Sequence, residues 1–273
     1  MASPPRNSKN ARVALVTGAS SGIGAAVAEA LVRRGLRVVG TSRDPAAVGS
    51  PPAGVELIAL DLTDEASIER CAAAVGRVDV LVNNAGESQS GPLEELPIEA
   101  VRRLFELNVF GAIRLTQLVL PGMRERGSGC VIMIGSMLAS FPLAYRSSYV
   151  ASKAAIKGFA NAARREVAPY GVRISTVEPG SINTGISQRR TQYLAAGSPF
   201  TAEYHTMLAA LDANEAGGIS AAEVARTVLR AIEARHPRPL YAVGSNAGLV
   251  FALRRLLPRA VVEKAVARRH GLR

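Results

Sequence analysis

Short, almost continuously apolar runs alternate along the chain with longer stretches whose apolar residues recur every three or four positions. The runs are Arg12–Val16, Leu36–Thr41, Val55–Leu60, Val78–Val82, Cys130–Ile134, Val172–Val177 and Leu240–Val243. Their Val, Leu and Ile content predicts strands buried on both faces. Helical spacing covers Ala25–Arg34, a long stretch at about Glu99–Arg126, Tyr149–Val167, and a stretch from Ser220, its N-cap, to about Arg235. Six βα alternations predict a single α/β domain, a doubly wound parallel sheet with helices on both faces. Residues 185–218 show neither strand alternation nor one sustained helix, and read as a lid or binding loop. Leu249, Val250, Leu253, Leu256 and Leu257 follow helical spacing, break at Pro258, and hand over to Val261, Val262, Ala265 and Val266. The expected organisation is a disordered tail at 1–10, one domain at 11–246 that includes the lid, and a basic amphipathic extension at 247–273.

Composition narrows the setting. Of 273 residues, 48% are hydrophobic but only 4% aromatic, so Ala, Val, Leu and Ile must build the core. Cys71 and Cys130 lie far apart with no metal-ligand spacing, which predicts buried thiols in a reducing compartment and no metal site. The first ten residues lack the apolar core of a signal peptide. No apolar run approaches the ~20 residues of a membrane span. A soluble, cytoplasmic protein is expected. The net charge of +11 is concentrated at the C-terminus, where residues 247–273 carry seven Lys and Arg against Glu263. A solvated face and peripheral contact with an anionic membrane both suit that charge. Nucleic acid does not, because no aromatic platform or recognition motif accompanies it.

The candidate chemistry starts at Thr17–Gly24, between the first strand and first helix. Gly18, Gly22 and Gly24 give the spacing G-x-x-x-G-x-G, which suits a tight turn bringing backbone N–H groups and a helix N-terminus to a phosphate. The second strand ends in Ser42-Arg43. A neutral Ser42 removes carboxylate repulsion, and Arg43 offers a planar fork to a 2′-phosphate, so NADP is favoured over NAD. Asp61 sits at the end of the third strand, either to accept a hydrogen bond from adenine or to begin the next helix. Asn83-Asn84-Ala85-Gly86 closes the fourth strand; its asparagines suit strand-pinning hydrogen bonds, and its small residues allow a close ribose. Asn108 interrupts a helix, Ser136 follows the fifth strand, and Tyr149 and Lys153 share one face of a helix at i and i+4. A free tyrosine titrates near ~10 and is a poor base at neutral pH, but a neighbouring cation favours the phenolate.

Taken together, TGASSGIG at 17–24, Asp61, NNAG at 83–86, Asn108, Ser136, YVASK at 149–153 and Pro179-Gly180 through Thr184 closely resemble the short-chain dehydrogenase/reductase family, in its compact single-domain branch with a Rossmann-like fold. The resemblance implies four catalytic residues. Tyr149 is general acid in carbonyl reduction and general base in alcohol oxidation, and Lys153 lowers its pKa and binds the nicotinamide ribose. Ser136 holds the substrate oxygen, and Asn108 holds a water in a proton relay. It also implies a cofactor lining of Gly18, Ser20, Ser21, Gly22, Ile23, Gly24, Ser42, Arg43, Asp61, Leu62, Asn83, Ala85, Gly86, Pro179, Gly180, Ile182 and Thr184, with Tyr149 and Lys153. A homodimer or homotetramer is implied as well. Two positions depart from the family pattern. Glu178 stands where many members carry Asn, and no basic residue occupies position 21. Met137, Leu138, Phe141 and the apolar residues of 185–218 point to a lipophilic carbonyl or alcohol substrate, of steroid, retinoid or acyl type. The competing readings are a catalytically silent NADP(H)-binding sensor or partner-binding protein, which the intact catalytic set disfavours, and a sugar-nucleotide epimerase, which the short length disfavours.

Overall fold

The computed structural model describes residues 11–183, 185 and 189–272, so the expected tail at 1–10 and Thr184 lie outside the described residues. In chain order the elements begin β1 (Val13–Val16), α1 (Gly22–Arg33), β2 (Arg37–Ser42), β3 (Val55–Ala59), α2 (Glu65–Val75) and β4 (Val80–Asn83). There follow a two-residue β5 (Gln89–Ser90), α3 (Ile98–Phe105), α4 (Gly111–Glu125), β6 (Gly129–Ile134), α5 (Ser147–Val167) and β7 (Val172–Pro179). The chain continues through β8 (Ile182–Asn183), β9 (Thr191–Gln192), α6 (Thr201–Ala216), β10 (Ile219–Ser220) and α7 (Ala221–Glu233). It ends with β11 (Leu240–Val243), α8 (Ala247–Leu256) and α9 (Arg259–Arg269).

Seven strands form one parallel sheet in the order β3-β2-β1-β4-β6-β7-β11. The chain builds outward from β1 to β3, returns to β4 beside β1, then builds outward the other way. This reversal opens a crevice beyond the C-terminal ends of β1 and β4, the usual ligand position in such sheets. Strand alternation divides the core in two. Val13 and Leu15 of β1 pack towards α2, α4 and α5, with Ile68, Leu115 and Ile156. Ala14 and Val16 pack towards α1 and α7, with Leu31 and Val228. Each such buried Val, Leu or Ile contributes about 1.5–3 kcal/mol, which fixes the strand ends and hence the crevice.

Three expectations need revision. The segment 185–218 contains a sustained 16-residue helix, α6. Tyr204, Met207, Leu208 and Leu211 follow i, i+3, i+4, i+7 spacing and are buried with Leu143 and Leu272. The long helix predicted over Glu99–Arg126 is broken by a π-turn at Glu106–Phe110, which holds Asn108. Contrary to the sequence expectation, the helical run Ile98–Glu125 is apolar and long enough to span a membrane, although half of its most apolar stretch is buried in the protein.

Residues 247–272 pack back onto the domain. Ala247, Val250, Phe251, Val262 and Val266 meet Met137 and Phe141, and the Phe141 and Phe251 rings cross edge-to-face with centroids 5.0 Å apart. The outer side of this segment leaves Leu249, Leu253, Leu256, Leu257 and Val261 exposed among Arg254, Arg255 and Arg259. Both cysteines are buried free thiols, and burial pushes each up to about 11.

Candidate active site

The crevice opens into a cleft of about 820 Å³. At one end its wall is the Gly-rich turn. Gly18 adopts φ +64°, and a Cβ there would sit 3.0 Å from the Ala85 Cα. A Cβ on Gly24 would lie 2.1 Å from the Gly18 carbonyl oxygen, so neither position accepts a side chain. Thr17 ties the turn to β4: its hydroxyl accepts from the Asn84 and Ala85 amides at 2.9 and 3.0 Å. The Asn84 side chain donates back to the Thr17 and Gly18 carbonyls at 2.9 and 3.2 Å. Ser21 is the N-cap of α1 but its side chain caps no amide, which leaves first-turn N–H groups facing the cleft. A backbone cradle of this shape, with a helix N-terminus aimed into it, fits a dinucleotide pyrophosphate.

Cations surround this end. Arg189 Nη1 donates to Ser21 Oγ at 3.1 Å from 168 residues away, supplying the charge that position 21 lacks. Arg43 and Arg103 both line the cleft and pair with Glu87 at 3.6 and 3.1 Å. These exposed pairs are worth about 0–1 kcal/mol, so a phosphate can displace them. Asp61 also lines the cleft; hydrogen bonds from the Thr63 amide (2.9 Å) and hydroxyl (2.7 Å) hold its carboxyl below the usual range. The next helix is capped by Asp64 rather than Asp61.

Most of the predicted lining residues face this cleft: Gly18, Ser20, Ser21, Gly22, Ile23, Ser42, Arg43, Asp61, Leu62, Ala85, Gly86, Pro179, Gly180 and Ile182. Gly24 lies behind the turn. Asn83 is turned away, donating to Thr116 Oγ1 at 2.9 Å and Met133 Sδ at 3.3 Å, while Asn84 takes the place facing the cleft. Strand alternation is the reason: Asn83 shares the side of Leu81, which packs towards α4. Glu178 likewise points away from the cleft, buried between Lys157 Nζ at 3.0 Å and the Ser140 hydroxyl at 2.9 Å.

Ser136, Tyr149 and Lys153 meet at the centre of the cleft. Ser136 follows β6, where its hydroxyl accepts from the Leu138 amide at 3.2 Å, and it faces the same cleft as Tyr149. Tyr149 is in the first turn of α5 and Lys153 one turn on. Lys153 Nζ donates to the Ile134 carbonyl at 3.1 Å and lies 5.9 Å from the Tyr149 ring centroid. Burial pulls Lys153 down to about 8, which still leaves it mostly protonated at neutral pH. Among the protein's own groups, burial raises the Tyr149 pKa, opposed first by the Arg146 charge and then by Ser136. Asn108 is buried behind the pair. Its side chain accepts from the Glu87 amide at 2.9 Å and donates to the Glu87 carbonyl and Ser152 Oγ at 3.1 and 3.2 Å. Gly86 separates it from Lys153: a Cβ there would lie 3.0 Å from Asn108 Oδ1 and 3.5 Å from Lys153 Nζ.

The far end of the cleft is lined by Met137, Leu138, Phe141, Leu211, Val250 and Val266, joined by Arg146, Arg269 and His270. The sequence singles out the first three and the apolar residues of 185–218, to which Leu211 belongs, but not the C-terminal helices' share of the wall.

Comparison with known proteins places the chain in a family. The family model described as short chain dehydrogenase matches residues 12–194. The chain belongs to the short-chain dehydrogenase/reductase family and is an oxidoreductase acting on alcohol or carbonyl groups. It is 34% identical to an uncharacterized oxidoreductase, YusZ, of Bacillus subtilis (strain 168), over 95% of this chain and 99% of that one. It is 30% identical to a 3-ketodihydrosphingosine reductase of Bacteroides thetaiotaomicron, over 88% of this chain and 91% of that one. A short chain dehydrogenase from Burkholderia cenocepacia J2315, solved in complex with NADP, superposes with a TM-score of 0.75 at 29% identity, covering 94% and 97% of the two chains.

Proposed function

We propose that this protein is an NADP(H)-dependent oxidoreductase of a lipophilic ketone, aldehyde or secondary alcohol, with Tyr149 as its general acid/base. The carrying observation is the convergence of Ser136, Tyr149 and Lys153 on one cleft, at the point where the nucleotide cradle meets an apolar chamber. Bound NADP(H) supplies or accepts the hydride. The chain's own residues do the rest. Ser136 donates to the substrate oxygen and stabilises developing alkoxide charge. Tyr149 delivers a proton to that oxygen in reduction and removes it in oxidation. Lys153 holds positive charge beside the phenol and the ribose site, and Asn108, fixed by Glu87 and Ser152, anchors a proton path behind it. Arg43, Arg103 and Arg189 favour NADP over NAD, in keeping with the NADP-bound relative.

A panel of long-chain acyl, retinoid and steroid carbonyls, assayed with NADPH and NADH, tests the reading. It predicts turnover of at least one apolar substrate with NADPH preferred. Tight NADPH binding with no turnover across the panel contradicts it.

Two surface readings accompany this function. The exposed leucines interleaved with arginines on 247–261 suit peripheral contact of a cytoplasmic protein with an anionic membrane. Salt-sensitive flotation with phosphatidylserine liposomes is expected, and its absence contradicts the contact. Exposed Phe110 and Phe159, on the outer faces of the helical runs that carry Asn108 and Tyr149, suit a homodimer or homotetramer interface. Light scattering of a monomer at assay concentration contradicts that assignment.

A further inference from the structure

Arg146 stands three residues before Tyr149 and is only 2% exposed. Its guanidinium lies over the Tyr149 ring, with Cζ 4.6 Å from the ring centroid. Tyr145, in a left-handed conformation at φ 63°, turns the chain into this position, and its carbonyl accepts from the Gly91 amide at 2.9 Å. One guanidinium nitrogen, Nη2, donates to Ser88 Oγ at 2.9 Å. Nε and Nη1 are buried without a hydrogen-bond partner among the described residues. A buried cation with unmet donors is costly. The cost rises because Arg146 is the N-cap of α5, where the helix dipole is positive. Nε and Nη1 are sealed from solvent, so a substrate in the cleft does not reach them. The group that meets the charge is the Tyr149 ring.

The other charged and titratable groups around this ring are few. Lys153 comes from α5, which Arg146 precedes as N-cap; from α6 come Glu215, which acts on Tyr149, and Tyr204, which acts on Arg146. Arg190, preceding β9, is held by Asp212 and Glu215 at 2.7 Å each. His270, behind Arg146, is pulled down by burial. Lys153, at 5.9 Å from the ring centroid, is farther than Arg146.

We infer that Arg146 is a positioning residue for Tyr149: its stacked guanidinium holds the ring in place and stabilises the phenolate, beside Lys153. The inference rests on Tyr149 being the acid/base. Burial raises the Tyr149 pKa, and Arg146 is the foremost group opposing that rise. Arg146 itself, pulled down by burial to about 10, stays cationic at neutral pH.

The test is the pH profile of kcat/KM, in oxidation and reduction, with the full-length enzyme and NADP(H). Neutral Arg146→Met is expected to move the Tyr149 ionisation limb to higher pH by about one unit, in both directions of reaction. The oxidative deficit then narrows as pH rises. Arg146→Gln is the second neutral variant, and Arg146→Lys is expected to fall between it and the wild type. Ser88→Ala, which removes the hydrogen bond and keeps the charge, is expected to leave the limb in place. Retained NADPH affinity reports that each variant is folded. Neutral variants that lose rate equally at all pH values, with the limb unmoved, overturn the inference and make Arg146 a packing residue. Wild-type-like turnover in Tyr149→Phe, by contrast, removes the reading on which the inference rests.

Discussion

At the nucleotide end of the cleft the wall is mostly backbone, and at the substrate end it is mostly side chain. The nucleotide end uses a turn in which Gly18 and Gly24 leave no room for a Cβ, tied to β4 by Thr17 and Asn84. Its contacts span strand ends that the sheet register already fixes. The substrate end is assembled from a 3-10 turn at Met137–Ala139, from α6, and from the two C-terminal helices. Nothing in the sheet dictates those packings. Backbone groups recognise what every dinucleotide shares, whereas side chains can change one at a time. The same fold thus shapes the nucleotide end with backbone and leaves the chamber to individual side chains.

The largest effect expected from this contrast comes from Gly24→Ala. Its new methyl would meet the Gly18 carbonyl at 2.1 Å, so the turn must open. Loss of NADPH affinity by roughly 100-fold or more is expected by fluorescence titration, a few kcal/mol in all. Affinity within threefold of wild type would show that the cradle is not rigid. A smaller and more selective effect is expected from Phe141→Ala, which unpacks the chamber wall from Phe251. Here kcat/KM for a long apolar ketone falls about tenfold, as for a lost apolar contact, while NADPH affinity holds. An equal fall for a short ketone would place Phe141 outside substrate selection. Arg43→Ala should have the smallest effect, a loss of about five- to tenfold in NADPH affinity with NADH unaffected, since an exposed charge pair is worth about a kcal/mol. Equal loss for both nucleotides would assign Arg43 to loop packing instead.

The same contrast explains what could be read from the sequence. The seven strands, the Gly-rich turn and the Tyr149–Lys153 pair are local signals, set by spacing of a few residues. The choice between Asn83 and Asn84 is also local, since Leu81 shows which way the alternation runs, whereas the family resemblance points to Asn83. The helical spacing of Tyr204, Met207, Leu208 and Leu211 was likewise present and was obscured by the polar residues around it. Other features have no local signal. Arg189 reaches Ser21 from 168 residues away, and Arg146, although only three residues from Tyr149, follows a left-handed Tyr145 that the residue type there does not announce. The π-turn around Asn108 is similar: a modest helix former in a helix marks the place, but the Glu87 backbone that holds it is 21 residues away.

The central claim is that this cleft does its proton chemistry through one phenol. Tyr149→Phe removes a single hydroxyl from a buried ring and leaves the nucleotide end untouched. Turnover and NADPH affinity, measured together on this variant, separate chemistry from binding. The account predicts affinity within about twofold of wild type and a fall in kcat of roughly 10²–10⁴-fold, the range expected for a lost general acid/base. Turnover within threefold of wild type, with NADPH still bound, would contradict it.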